Sequence, residues 1–114
     1  MIDLAGIKCA PCREDAPLAT QAETEKYMQQ LPEWKIVERD GIKRLTRIYN
    51  FNDFTEAMSF SNKIAVIAEE ENHHPAIVTE WGKVTVSWWS HIIKGLHLND
   101  FVMAAKTEEL FKKH

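Results

Sequence analysis

Little in this chain points to a membrane, a nucleic acid or a metal, and each absence narrows its possible chemistry. The longest near-apolar run, Ile64 to Ala68, is far shorter than a bilayer-spanning helix requires. The first residues, MIDLAGIKCAPCRED, turn charged almost at once, unlike a targeting signal, so a cytoplasmic location is expected. Basic residues are outnumbered, 14 Lys and Arg against 17 Asp and Glu, giving a net charge of −3 with histidines neutral. The densest basic run, Lys43-Arg44 with Arg47, is short and reads as the solvated side of a strand. Neither a nucleic acid nor a membrane is therefore expected as a partner. The only two cysteines, Cys9 and Cys12, stand in a Cys-Ala-Pro-Cys spacing. A thioredoxin-type motif would lie inside a βαβ unit, and a structural zinc site would need two further ligands. Neither context is present, and the pair reads as reduced thiols on an N-terminal arm. No glycine-rich phosphate loop, nucleophile elbow or His-Glu-x-x-His motif occurs.

What is present suits one domain. A chain of 114 residues, 45% hydrophobic and 27% charged, can build a single core and is not of disordered composition. Residues 1–17 lack periodicity and are read as an arm, with the domain covering 18–114. Thr20 and Glu23 form a capping box that predicts a helix to about Leu31, stopped by Pro32. Trp34–Glu38 and Ile42–Tyr49 read as strands around Arg39-Asp40-Gly41, a good hairpin turn. Asn52 or Asp53 caps a long helix running to about Glu71. Its apolar residues make two stripes, one through Phe54, Ala57, Met58, Ser61, Ile64, Ala65 and Ala68, the other through Phe60, Ile64 and Ile67. A helix apolar on more than one face needs cover on both, and in so small a domain a second subunit is the expected cover.

His73-His74-Pro75 predicts the end of that helix, because proline disfavours helical geometry in the residue before it. Ala76–Glu80 and Val84–His91 then read as strands around a turn at Trp81-Gly82-Lys83. In the second strand Val84, Val86 and Trp88 face one way and Thr85, Ser87, Trp89 and His91 the other. A last helix runs from about Asn99 to Lys112, with Phe101, Ala104, Ala105 and Leu110 or Phe111 inward. The order α-β-β-α-β-β-α predicts an α+β fold, a four-stranded antiparallel sheet with helices packed on one face.

Three histidines carry the chemical interest, since imidazole gives and takes protons near neutrality. His73 and His74 stand at a helix end, and Glu69, one turn earlier, is placed to hold the His73 ring. His91 lies on the polar side of its strand. Taken singly, each histidine is more often structural, and the acidic run Glu69-Glu70-Glu71 is most simply a solvated helix end. Adjacent histidines in a strand-like segment diverge, so no metal site is expected.

Glu69, His73-His74-Pro75, Trp81, His91 and Asp100 stand in the order and at the spacings of the pterin-4a-carbinolamine dehydratases, which the chain resembles over residues 18–112. Leu31-Pro-x-Trp34, Phe51 with Phe54, and Gly95-Leu96 add to the likeness. Two departures stand out. His97 occupies a position where relatives commonly place a helix-capping Ser or Thr, leaving Asn99 to take over the cap or Asp100 differently oriented. Trp88-Trp89 is bulkier than many relatives are at that point.

The resemblance implies dehydration of a 4a-hydroxytetrahydropterin to the quinonoid dihydropterin by histidine acid-base catalysis, without cofactor or metal. It makes His73 and His91 the acid-base pair and His74 a catalytic or substrate-binding group. Glu69 and Asp100 become orienting carboxylates, and Pro75, Trp81, Trp89 and Ser90 line the pterin. A pterin substrate and a homodimer or homotetramer are the implied partners. Two alternatives stand beside this reading: a related pterin-binding enzyme or chaperone linked to molybdopterin, and a non-enzymatic dimerisation cofactor of a transcription factor.

Overall fold

The computed structural model describes residues 3–10 and 13–114. Helix α1 (Gln21–Met28) is followed by β1 (Lys35–Arg39), β2 (Ile42–Asn50), α2 (Phe54–Glu71), β3 (Ala76–Glu80), β4 (Lys83–Trp88) and α3 (Leu98–Lys112). The order α-β-β-α-β-β-α is therefore as the sequence implies. All strand pairs are antiparallel, and the sheet runs β1-β2-β4-β3. Among the described residues no helix is long and apolar enough to cross a membrane.

Local chemistry explains the joints. Thr20 and Glu23 form the capping box of α1, which ends three residues before the expected Leu31 in a tight turn. Asp40 and Gly41 both have positive φ, 54° and 77°, the backbone of a two-residue hairpin turn whose twist suits the flanking strands. Gly82, at φ 71°, brings its carbonyl to the Phe51 N–H at 2.9 Å; a Cβ there would stand 3.1 Å from the Phe51 carbonyl. Asp53 caps α2 by accepting from the Glu56 N–H at 2.8 Å.

The core lies between one sheet face and the two long helices. Leu45, Tyr49, Val84, Val86 and Trp88 rise from the sheet to meet Ala57, Phe60, Ile64 and Ala68 of α2 and Phe101 to Ala105 of α3, all buried. The two stripes of α2 are not covered as separate faces. Phe60 is fully buried against the rings of Tyr49, Phe51 and Phe111 at 4.8, 5.2 and 5.7 Å. It is Phe54, Met58 and Val66 that stand out to solvent, Phe54 and Val66 at 47% and 56% exposure. Aromatic cross-strand and helix partners made the Phe60 side the better fit to the sheet.

Helix α3 is buried on more than its sheet side, since Val102 and Met103 are as covered as Phe101. The additional cover is N-terminal: Leu4–Gly6 forms a 3-10 turn packed on α3, with Leu4 buried. Residues 3–10 therefore lie docked on the domain. Cys9 is a free thiol; Cys12 lies outside the described residues.

Candidate active site

Two interruptions of regular structure and one helix start bring the expected residues together. Helix α2 ends at Asn72, whose left-handed backbone (φ 51°) lets the His73 N–H reach back to the Ala68 carbonyl at 3.1 Å. This is a common way of closing off orphan carbonyls at a helix end. The reversal comes one residue before the expected stop at His73-His74-Pro75. It turns His73 inward and leaves His74 outside. Strand β4 leaves the sheet after Trp88, and Ser90 then bridges Gly95, so His91 sits at the start of a tight loop. Pro75 links His74 to β3.

The imidazole of His73, 6% exposed, donates from Nε2 to Asp100 Oδ1 at 2.6 Å. Asp100 is fully buried in the first turn of α3, and its Oδ2 accepts from the Ser90 hydroxyl at 2.8 Å and the His97 N–H at 2.9 Å. Three donors thus replace the water that burial takes from the carboxylate. The other His73 nitrogen, Nδ1, has no hydrogen-bond partner among the described residues.

His74 is half exposed, and its Nε2 is hydrogen-bonded to the Glu69 carboxylate. Glu69 was expected to hold His73; the left-handed turn at Asn72 hands it His74 instead. His91, exposed, donates from Nε2 to the His74 carbonyl at 3.3 Å and stacks on Trp89 with centroids 4.5 Å apart. The Arg44 guanidinium lies 4.1 Å from the Trp89 ring centre, a favourable cation–aromatic contact. Asn72, His73, His74, His91 and Ile92 line an open groove of about 340 Å³. A larger concavity, about 570 Å³, runs along the exposed side of α2 and holds none of these histidines.

Not every expected residue arrives. Trp81 is 74% exposed in the β3–β4 turn, separated from His91 by the whole of β4, roughly 20 Å of strand. It is not among the residues that line the histidine groove. Ser90 is fully buried with its hydroxyl on Asp100, so it supports the carboxylate and does not face the groove. The cap of α3 falls to His97 itself: its Nδ1 accepts from the Asn99 N–H at 3.1 Å, and Asp100 completes the box. Asn99 is turned away, toward Ala10. The sequence set Trp88 on one strand face with Val84 and Val86 and marked Trp88-Trp89 as bulky, without naming what Trp88 would meet. Its ring lies parallel to that of His73, and its alternation with Val84 and Val86 gave no sign of that neighbour.

Comparison with known proteins points to one family. The family model described as pterin 4 alpha carbinolamine dehydratase matches residues 17–110. The chain belongs to that family. A relative from Nitrosococcus oceani that carries the provisional name pterin-4-alpha-carbinolamine dehydratase is 52% identical over 112 residues, spanning 98% of this chain and 99% of its own. That alignment takes in the N-terminal segment that the family model leaves out. A crystal structure titled transcriptional coactivator/pterin dehydratase, from Brucella melitensis, superposes with a TM-score of 0.75 at 30% identity, covering 82% of this chain and 98% of that one. A pterin dehydratase-like protein described as a RuBisCO assembly factor in the alpha-carboxysome shares the fold, at a TM-score of 0.57 and 18% identity over 68% of this chain and 88% of that one.

Proposed function

We propose that this protein dehydrates a 4a-hydroxytetrahydropterin to the quinonoid dihydropterin, with His73 as general base and His91 as general acid. The observation that carries the reading is the buried His73–Asp100 pair opening on a groove shared with His74 and His91, in a chain of the dehydratase family. In the reaction the C4a–O bond breaks, a proton joins the departing hydroxyl to make water, and N5 loses its proton as the C4a=N5 double bond forms.

His73 suits the base. Its Nε2–H is committed to Asp100, which fixes the tautomer with Nδ1 as the acceptor and stabilises the imidazolium that forms. Among the described residues His91 has no carboxylate partner, and it stands exposed at the groove edge, where it can deliver a proton to the hydroxyl; general acid help of this kind is the role proposed for it. His74, steadied by Glu69, binds the substrate. Trp89 acts in this scheme by backing the His91 ring. The chemistry calls for neither metal nor organic cofactor. The test is a stopped-flow assay on freshly generated carbinolamine. Acceleration over the spontaneous reaction, lost in His73→Ala, is the expected result; no acceleration by the unmodified protein refutes the proposal.

A second reading concerns assembly. Phe54, Met58 and Val66 leave an apolar stripe on α2 beside Asn62, with Lys63 the one charged residue along the groove. Apolar surface of this kind marks contact sites, and a second copy of this helix, packed across a two-fold axis, is its proposed cover. The active form is then a homodimer or homotetramer in the cytoplasm.

A further inference from the structure

Residues 3–10 lie outside the stretch matched by the family model, yet they touch both helices whose ends adjoin the buried pair. Leu4 packs into the core, its N–H donates to the Gln30 side chain at 3.0 Å, and Lys106 Nζ donates to the Ala5 carbonyl at 3.0 Å. The segment then reaches two helix ends with consecutive residues. The Cys9 N–H donates to Glu71 Oε1 at 2.7 Å, and Glu71 is the last residue of α2. Ala10 donates its N–H to Asn99 Oδ1 at 3.0 Å and accepts from Asn99 Nδ2 at 2.8 Å. Asn99 is a buried residue in the first turn of α3.

These contacts sit next to the chemistry on both sides. His73 is two residues beyond Glu71, and Asp100 follows Asn99 directly. The choice of residues is also informative. A carboxylate at a helix C-terminus faces the negative end of the dipole, so Glu71 is poorly placed for α2 alone and well placed to receive a backbone N–H from outside. Asn99 spends both ends of its amide on one residue of the segment.

We propose that Glu71 and Asn99 are positioning residues. Through Cys9 and Ala10 they tie the end of α2 to the start of α3 and hold His73 Nε2 on Asp100. The proposal rests on reading His73 as a catalytic group. Hydrogen bonds are steep in distance: a pair at 2.6 Å that opens by about an ångström is no longer bonded. Small drift of either helix end would thus release the imidazole.

The experiment uses the full-length protein with Glu71→Ala, Asn99→Ala, both together, and Glu71→Gln, which keeps a side-chain carbonyl for the Cys9 N–H. Solvent exchange of the His73 Nε2 proton, followed by NMR, is the first readout; circular dichroism checks the fold. Either alanine variant should exchange at least about tenfold faster, the scale of losing one or two hydrogen bonds, with Glu71→Gln close to wild type. The second readout is turnover: kcat should fall about fivefold with KM nearly constant, as expected when a catalytic group loses its alignment. Wild-type exchange in folded alanine variants overturns the proposal whatever the turnover. If the double variant does not fold, the single variants decide. If the unmodified protein proves inactive as a dehydratase, the exchange measurement still tests the tether, and only the functional reading falls.

Discussion

The indole of Trp88 lies flat alongside the imidazole of His73, with ring centroids 5.9 Å apart and planes 6° from parallel. Trp88 is fully buried, and its Nε1–H is held by the Thr107 hydroxyl at 3.1 Å, so the ring cannot swing. His73 thus has an immobile aromatic wall beside it and a fixed carboxylate at one nitrogen. Trp88→Leu removes the wall and leaves Thr107 without its donor. Urea melts should show a loss of about 2–4 kcal/mol, and the folded fraction should turn over more slowly. A lower melt midpoint with unchanged kcat would restrict Trp88 to packing.

The histidines should separate by kinetic parameter. His73→Ala and His91→Ala are each expected to lower kcat by about 10²-fold or more, the usual scale of acid-base assistance. His74→Ala should act chiefly on KM. Near-wild-type turnover in both of the first two variants would end the assignment.

The stripe on α2 gives a test by contrast. Phe54→Glu combined with Val66→Glu should dissociate the oligomer and leave a folded chain, read by light scattering and circular dichroism. Phe60→Glu should unfold the chain instead, since it puts a charge among buried rings with no partner to receive it. A monomeric unmodified protein at micromolar concentration would remove the interface.

Docking of the N-terminal segment should weaken in alkali. Burial, and after it the Glu71 carboxylate, push the Cys9 thiol up to about 12 from its ordinary 9.0; Lys106 opposes them and Asp100 adds to them. The docked chain holds a neutral thiol over a range in which the released chain ionises. Its contribution is therefore complete below pH 9.0 and is lost as pH rises toward about 12. In a Cys12→Ser background, thiolate absorbance should stay low well above pH 9.0. An ordinary thiol titration would show that Cys9 is not covered.

Glu108 should matter for stability and not for chemistry. One of its oxygens accepts from Trp34 Nε1 at 2.8 Å, from the Tyr49 hydroxyl at 2.6 Å and from Arg47. Burial and this carboxylate drive the Tyr49 hydroxyl strongly upward, so it stays a donor at all working pH. Glu108→Ala strands three donors at once and should cost about 3 kcal/mol, measured by denaturant melts. Turnover per folded molecule should not move.

Local signals in the sequence carried the elements well. The Thr20–Glu23 box, the Asp40-Gly41 turn and the alternation along β4 each depend on neighbours within a few residues, and each stands in the structure where it was read, the alternation only as far as Trp88 and not to His91. The partner of His73 depends on residues 27 positions apart, and only family likeness pointed to Asp100. Glu69 went to the wrong histidine because helical spacing was carried one residue past the point where the helix stops. The apolar residues of α2 were visible, but the buried face draws on both stripes, and Phe60 is held there by the rings of Tyr49, Phe51 and Phe111, which no periodicity within α2 reveals. His97 escaped as a cap because histidine rarely offers its ring nitrogen for that task.

The left-handed residue at the end of α2 also limits which substitutions the site can tolerate. Position 72 touches no reacting group in the proposed scheme, yet its φ of 51° admits glycine, asparagine and aspartate readily and branched side chains only at a cost. Among homologous chains the residue before the two histidines should therefore be drawn from that small set. A chain with His-His-Pro preceded by valine or isoleucine would have the letters of the motif without the turn that sends one ring inward and the other out. For anyone sorting relatives by sequence, that single preceding position is a cheaper filter than the histidines themselves.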